Sequence, residues 1–275
     1  MFHFVQSLRR HAGILALVGT TAMATGCAAA ISTQDEAQLG AQAASQYNSQ
    51  LPIVQDAAVN RYVNQLGNRI ASAAPERRFN YTFYVVNSNV VNAFAIPGGY
   101  VYINRGLIER AANESELAGV LGHEIGHVVL RHGVEQMAKM QQAELGVNLA
   151  YILLGRVPGQ LEQLGLQVGG AAYFARNSRE AENEADEMAV QLVTRAGINP
   201  EGVVTFFQKL LNEQKRNPNA LEQFFSTHPL TQDRINHTQR LVEAIPASQR
   251  RNLETNTTAF QQFKSRVGQL PAPRQ

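Results

Sequence analysis

The feature that most constrains this chain is a mostly apolar helix with three ionisable residues at its centre. Asn113 can cap this helix and Glu116 suits a capping box, so we expect a helix from Asn113 to about Gln142. Residues 123–127 read His-Glu-Ile-Gly-His. The apolar residues around them are Leu117, Val120, Leu121, Val128 and Val129. Burial of two imidazoles and a carboxylate costs free energy unless a partner such as a metal ion compensates.

The spacing of the two histidines suits a metal site. Residues four apart on an α-helix lie about 40° from each other around its axis. His123 and His127 therefore reach one point beside the helix, as two zinc ligands must. Glu124 can reach a water molecule there as general base. The alternative is a helix whose polar residues merely face solvent. The glycines of this helix, which favour close approach of a second backbone or of a substrate, are Gly119, Gly122 and Gly126.

A catalytic zinc site needs a third protein ligand, and the acidic segment at 180–187 holds the candidates. A helix through this segment buries a stripe formed by Ala181, Ala185, Met188, Ala189 and Leu192. Glu182 and Asp186 flank the stripe, and the opposite face carries Glu180, Glu184 and Glu187. We therefore expect Glu182 to be the third ligand and Asp186 to orient a zinc-bound histidine. The alternative is that all five acids lie on a solvated face.

Composition excludes several other classes of protein. The single cysteine, Cys27, rules out a disulfide framework and a cysteine-rich zinc module. Hydrophobic residues make up 44% and charged residues 17%, which suits a folded core rather than a disordered polymer. Without Arg9 and Arg10, acidic and basic residues balance at 22 each. No basic stripe is present, so we expect no nucleic-acid partner.

The N-terminus has the layout of a secretory signal. Arg9 and Arg10 precede a charge-free run that ends at Ala24, and small residues lead into Cys27. The segment resembles a bacterial lipobox, which implies removal of residues 1–26 and lipidation of Cys27. It departs from that pattern at Ala24, where a larger aliphatic residue is usual. An ordinary signal with an incidental cysteine is the alternative. No later apolar run reaches the roughly 18 residues that a membrane span requires.

The residues before the zinc helix predict a small sheet. Tyr81–Val86, Asn92–Ile96 and Tyr100–Ile103 are strand-like, and Pro97-Gly98-Gly99 between the last two forms a turn. We expect these three strands to form an antiparallel sheet beside the helix. Together with the helical segments, this predicts an α+β fold that is predominantly helical.

The rest of the chain is mostly helical in its periodicity. Helical spacing covers residues 59–70, 178–196, 200–216 and 231–244. A Gln- and Gly-rich stretch at 155–170 lies between the two ligand-bearing helices, so we expect it to act as a mobile lid or entry gate. We assign residues 27–250 to one metallopeptidase domain and residues 251–275 to a C-terminal tail that lies over the surface.

In combination these motifs resemble one family of zinc metallopeptidases. His123–His127 followed by Glu182–Asp186 is similar to the HExxH…ExxxD pattern of gluzincins. More narrowly, it resembles the family that includes the CAAX prenyl endopeptidase, HtpX, BepA and LoiP. The further segments that match are Asn92–Gly99, Phe174–Arg179, and Ser226–Pro229 with Arg234. The transmembrane helices of the first two members are not found, and no helical repeat follows residue 245. We therefore expect a periplasmic lipoprotein branch without a repeat domain.

The resemblance implies a zincin-like domain and several further roles. The Asn92–Ile96 strand, with Asn92, Ala93 and Phe94, would bind an extended peptide by adding a strand; a plain core hairpin is the alternative. His228 and Arg234 would face the zinc, either stabilising the transition state or capping the metal at rest; a turn histidine before Pro229 is the alternative. We expect neither His132 nor His237 to be a ligand.

The resulting interpretation is a zinc endopeptidase for misfolded or envelope polypeptides. The lipid on Cys27 would hold it at the periplasmic side of a membrane. Ala28 follows the cysteine, where resemblance to inner-membrane lipoproteins would call for Asp, and this implies the outer membrane. One alternative is a periplasmic chaperone or outer-membrane assembly factor with a weak or regulated protease site. The interpretation as a zinc hydrolase of a non-peptide substrate is weaker, because an edge strand that binds extended peptides would have no role in it.

Overall fold

The computed structural model describes residues 31–76, 78–139 and 178–273. Its helices are α1 (Thr33–Gln50), α2 (Ala57–Ala71), α3 (Arg105–Arg110), α4 (Glu114–Val129), α5 (described over 132–139), α6 (Arg179–Arg195), α7 (Glu201–Arg216), α8 (Glu222–Thr227), α9 (Gln232–Ala244), α10 (Ala247–Arg250) and α11 (Thr258–Gly268). A 3-10 helix at Pro218–Leu221 precedes α8, and the strands are β1 (Thr82–Val86), β2 (Ala93–Ile96) and β3 (Tyr100–Asn104). Cys27 and the stretch at 155–170 lie outside the described residues.

The three strands form a mixed sheet in the order β1-β3-β2, so the expectation of a purely antiparallel sheet is wrong. β2 and β3 do form the predicted antiparallel hairpin, and its turn contains Gly98 and Gly99 at positive φ, where glycine carries no steric penalty. β1 instead pairs in parallel with β3, with Phe83 opposite Val101. The connection 87–92 carries the chain past the place that β3 later fills. The turn residues identified the hairpin, whereas nothing local marked this crossover.

Helix α4 is the centre of the molecule, because every residue from Glu114 to Val128 is buried. It packs against α2, the sheet, α6 and α7. The helical spacing of α2 predicts an apolar stripe of five residues; Val59, Val63, Leu66 and Ile70 are buried, and Tyr62 is half-buried. The fold is thus helical with one small sheet, and its most buried helix carries the ionisable residues. Among the described residues, no helix has both the length and the apolar character needed to cross a membrane.

Helix α4 ends earlier than its apolar pattern suggests. Leu130 follows the last helical residue, and Arg131 has a φ of 60°. The chain then starts a second helix, α5, so the single helix expected to run to Gln142 is wrong. Neither Leu130 nor Arg131 is a glycine or proline, and the nearest glycine, Gly133, lies within α5. The side chain of Arg131 instead donates from Nε to the buried carboxylate of Glu36 in α1, at 2.7 Å. A long-range ion pair therefore holds a left-handed residue that local sequence disfavours.

The C-terminal segment is more ordered than its Gln- and Asn-rich composition suggests. Helix α11 buries Phe260, Phe263 and Val267 against α2 and α3. The ring of Phe263 stacks on Tyr62 of α2, with centroids 4.3 Å apart. Arg105 donates from Nη1 to the carbonyls of residues 270 and 271, just after the helix. The expectation of a surface tail is therefore wrong for residues 258–268, whose apolar residues follow a helical period.

Candidate metal centre

The site forms where α4 and α6 cross at small residues. A Cβ added to Gly126 would lie 3.0 Å from the carbonyl oxygen of Ala185 and 3.2 Å from its Cα. One turn earlier, Gly122 faces the backbone of Ala189 in the same way. The glycines thus allow a second backbone to approach, as predicted, and that backbone belongs to α6. The crossing brings the acidic residues of α6 beside the histidines of α4.

Four buried side chains point their donor atoms at one place. His123, His127, Glu182 and His228 each offer one ligand atom, and these atoms lie within 4.8 Å of one another. The Nε2 atoms of His123 and His127 are 3.1 Å apart. Nδ1 of His228 lies 3.3 Å from His123 Nε2 and 3.1 Å from Glu182 Oε1. A tetrahedral zinc shell with bonds of 2.0–2.1 Å has edges of about 3.3 Å. The donor set and its spacing therefore fit a metal ion.

His123 is supported from behind by a buried charged network. Its Nδ1 lies 2.8 Å from Oδ1 of Asp186, which is fully buried. Arg234 of α9 donates to both oxygens of Asp186, from Nε at 2.5 Å and from Nη2 at 2.8 Å. Thr238 lies at 3.4 Å from Asp186 Oδ2. The four-residue spacing of Glu182 and Asp186 thus places one at the donor cluster and the other behind it.

The guanidinium of Arg234 forms ion pairs with the carboxylates of Glu182 and Asp186 in α6. Its Nη1 forms an ion pair with Glu182 Oε2 at 2.5 Å and donates a hydrogen bond to the carbonyl of Pro229 at 3.0 Å. Burial by itself raises the pKa of Asp186 and Glu182, but the nearby cations outweigh it and hold both values below the usual range. In the structure Arg234 therefore contacts the groups that surround the metal position and orients them.

The two histidines of the same motif have opposite pKa shifts. Burial lowers the pKa of His123, but the carboxylates of Glu182 and Asp186 outweigh burial and raise it to about 9. Burial lowers the pKa of His127 to about 3, because its contact with Glu182 compensates only in part. Both imidazoles must offer a free nitrogen to a metal ion, so metal binding competes with protonation of these rings.

Glu124 has an unsatisfied oxygen beside the donor cluster. The residue is 1% exposed, and its Oε1 is buried without a hydrogen-bond partner among the described residues. The nearest imidazole nitrogen is Nε2 of His228, 3.6 Å away. A buried carboxylate oxygen without a donor is costly. Its place next to the ligand set suits a group that accepts a proton from a water molecule or substrate.

His127 has a supporting contact that the sequence did not reveal. Its Nδ1 lies 2.9 Å from Nδ1 of His132, and Nε2 of His132 lies 3.1 Å from Oε2 of Glu184. Among the described residues His132 is not part of the donor cluster, and it is buried. His237 is also outside the cluster. The contact depends on the break at Arg131, for which the sequence carries no signal.

The predicted substrate strand lies at the edge of the sheet. β2 pairs with β3 on one side, and the other side has no strand partner among the described residues. Ala93 is fully buried, Asn92 is 5% exposed, and the ring of Phe94 stacks on Tyr102 with centroids 4.9 Å apart. A cavity of about 20 Å³ separates β2 from His127; it is lined by Glu36, Ala95, Ile96, Pro97, Val128, Arg131, Gly133 and Val134. Asn92 and Ala93 are therefore too buried to contact a peptide with their side chains, whereas Phe94, Ala95 and Ile96 are half-buried.

Comparison with known proteins gives consistent matches. A family model described as Peptidase family M48 matches residues 55–242. The beta-barrel assembly-enhancing protease of Yersinia pestis is 34% identical over 225 residues, which cover 79% of this chain and 45% of that relative. Metalloprotease YcaL of Escherichia coli (strain K12) is 34% identical over 174 residues, covering 62% and 64%. Mitochondrial metalloendopeptidase OMA1 of Schizosaccharomyces pombe is 31% identical over 188 residues, covering 68% and 53%. The chain spans less than half the length of the first relative.

Proposed function

This chain belongs to peptidase family M48, and from that premise we propose that it is a zinc-dependent metalloendopeptidase that acts on misfolded or envelope polypeptides in the periplasm. Family membership confirms the resemblance inferred from the motifs. The observation that carries the proposal is the buried set of donors from His123, His127, Glu182 and His228, which lie within 4.8 Å of one another beside the unpartnered oxygen of Glu124.

In the proposed mechanism, zinc held by His123, His127 and Glu182 supplies Lewis acidity toward the scissile carbonyl and toward water. Glu124 removes a proton from the attacking water through Oε1 and delivers it to the leaving amine. Asp186 keeps the Nδ1 proton of His123 directed away from the metal position, so that Nε2 stays available. Arg234 holds Asp186 and Glu182 in place.

The direct test is Glu124→Gln. The amide keeps the size of the side chain but cannot accept the proton, so we expect a loss of proteolysis of about 100-fold or more with zinc content and folding unchanged. Casein-type digestion and metal analysis on the same preparation measure both quantities. Near-native cleavage by the variant, with contaminating proteases excluded, would contradict the mechanism.

His228 is proposed to close the site at rest. With Nδ1 3.1 Å from Glu182 Oε1, its imidazole occupies the side of the donor cluster that water or substrate needs. Among the described residues, the cavity between β2 and His127 has a volume of only about 20 Å³, which is too small for a peptide. His228→Ala should therefore raise basal proteolysis. A fall in activity would assign His228 to stabilising the oxyanion instead, and unchanged activity would remove both roles.

The substrate and the location are proposed on separate grounds. The unpartnered edge of β2 suits an extended polypeptide, since strand addition uses backbone groups and places few demands on sequence. Relatives named beta-barrel assembly-enhancing proteases support an envelope location. Cys27 is proposed to carry the lipid that holds the enzyme at the outer membrane. Cys27→Ala should release it from membranes, and native protein without lipid by mass spectrometry would contradict the anchor.

A second candidate function is a chaperone or assembly factor with a regulated protease site. The closed position of His228 and the names of the relatives favour it. The discriminating experiment compares binding and cleavage of an unfolded polypeptide by the Glu124→Gln and wild-type proteins. A chaperone keeps its effect on aggregation in the variant, whereas a protease loses its effect on substrate removal.

A further inference from the structure

A chain of hydrogen-bonding groups leads from the donor cluster through His127 to the protein surface. His127 directs Nε2 to the cluster and Nδ1 to His132, at 2.9 Å. His132 in turn directs Nε2 to Glu184 Oε2, at 3.1 Å. We propose that His132 and Glu184 are positioning residues that fix the tautomer and ring orientation of His127 and thereby strengthen metal binding. The inference rests on the zinc site of the proposed function.

Only one arrangement of protons satisfies every contact in this chain. When the metal takes the lone pair of His127 Nε2, the proton of that ring is on Nδ1 and must be donated. His132 Nδ1 is the acceptor, so the proton of His132 is on Nε2 and is donated to the carboxylate of Glu184. A carboxylate accepts and does not donate, so it sets the direction of the whole chain. Ligating histidines that donate their second N–H in this way bind metal more tightly.

The path of the backbone brings His132 back to the site. If α4 continued without a break, residues 127 and 132 would lie about 140° apart around the axis and face different sides. The break at Arg131 reverses this, and Glu36 holds Arg131 in its left-handed conformation. His132 becomes 6% exposed as a result. Burial of a second imidazole beside a ligand is costly unless both of its nitrogens are paired, and here both are.

Among the described residues, His132 is the side chain that Glu184 contacts. Its side chain is 61% exposed, on the solvated face of α6 that also carries Glu180 and Glu187. Glu180 has no hydrogen bond or ion pair among the described residues, and Glu187 contacts only Gln191 of its own helix, at 3.5 Å. Glu180 therefore provides a matched control, because it has the same chemistry and exposure and lies on the same helix.

The test measures zinc affinity by competition with a chelator, using the full chain. We expect His132→Leu to weaken zinc binding by about 10- to 100-fold. His132→Asn should recover most of the affinity, because its amide oxygen can accept at the position of Nδ1. His132→Gln, whose amide reaches toward Glu184 instead, should not. Glu184→Ala should cause a smaller loss, and Glu180→Ala none.

Two further measurements separate positioning from a general structural role. Thermal unfolding of the metal-free proteins should be nearly equal for His132→Asn and His132→Gln, although their zinc affinities differ. The visible absorption spectrum of cobalt-loaded protein should change in His132→Gln and Glu184→Ala, because the ligand field depends on the orientation of His127. If His132→Leu does not fold, the zinc affinities of His132→Asn, His132→Gln and Glu184→Ala still test the positioning role.

The outcomes also distinguish this inference from the proposed function. Suppose that the wild type binds zinc and that His127→Ala loses this affinity. If His132→Gln and Glu184→Ala then bind zinc as tightly as the wild type, the positioning role is overturned and the zinc site stands. Wild-type protein that binds no zinc would overturn the proposed function and, with it, this inference. Equal losses in Glu184→Ala and Glu180→Ala would show a general effect of surface charge and would also overturn the positioning role.

Discussion

His123 and His127 each turn one ring nitrogen to the donor cluster and the other to a supporting residue, but the two supports differ. Behind His123 stand Asp186 and Arg234, which are 0% and 5% exposed. Behind His127 stands His132, and behind it Glu184, whose side chain is 61% exposed. The residues that support His123 are buried charges, whereas the residues that support His127 end in a carboxylate exposed to solvent.

The difference shows which contacts the fold depends on. A buried charge pair cannot lose one member without leaving the other unpaired at low dielectric, so it ties metal binding to overall stability. An exposed carboxylate can be removed at little cost to the fold, because water replaces it. We therefore expect changes near His123 to affect stability and metal together, and changes near His127 to affect mainly the metal.

The largest contrast is expected between two glutamates of α6 that are two residues apart. Glu182→Gln removes a proposed ligand, so zinc content should fall far more than in Glu184→Gln, which changes only the outer end of a support. For the latter we expect at most the roughly 10- to 100-fold loss of affinity typical of supporting partners. Metal analysis of both purified variants measures the difference. Equal losses, or none in either, would show that Glu182 is not the ligand.

A smaller effect, on stability rather than on metal alone, is expected for Asp186→Asn. The substitution leaves the buried guanidinium of Arg234 with Glu182 as its only carboxylate, and broken buried pairs cost about 3–5 kcal/mol. Urea unfolding of the metal-free protein measures the loss, and His132→Asn is the matched change on the other side. If both variants lose the same stability, the contrast between the two supports does not hold.

The smallest effect is expected at an ion pair outside the site. Arg110 donates to both oxygens of Glu213 and lowers its pKa. Because the folded value lies below the unfolded one, the stabilisation is present above the ordinary pKa of 4.5 and disappears as the pH falls through the lower value. Glu213→Gln should therefore cost less than about 1 kcal/mol near pH 7 and less still near pH 3, below the ordinary pKa. Urea unfolding at the two pH values tests this. The loss of unfolding free energy can then be compared with the loss caused by Asp186→Asn at the buried pair with Arg234.

Much of the site was accessible from sequence because its residues are arranged by helix geometry. The four-residue spacing of His123 and His127 on α4, and of Glu182 and Asp186 on α6, places each pair on one side of a helix whatever the rest of the chain does. The glycines of α4 correctly indicated a close neighbour. The hairpin of β2 and β3 was accessible for the same reason, since Gly98 and Gly99 specify its turn.

The errors fall where a contact between distant residues decides the local structure. The crossover between β1 and β2 depends on the place that β3 fills later in the chain. The docking of α11 depends on a surface that α2 and α3 provide together. In each case the local sequence allows several arrangements of similar free energy, and burial selects one of them.

The sequence by itself determined which side chains share a helix face, because 3.6 residues per turn fixes that geometry locally. It therefore predicted the HExxH pair and the two acids that flank a buried stripe. Only the tertiary structure decided what stands behind each histidine. His132 reaches His127 because Glu36, 95 residues before Arg131, holds the chain in a left-handed turn there. Such a contact has no trace in local spacing, since its free energy exists only when both segments are packed together.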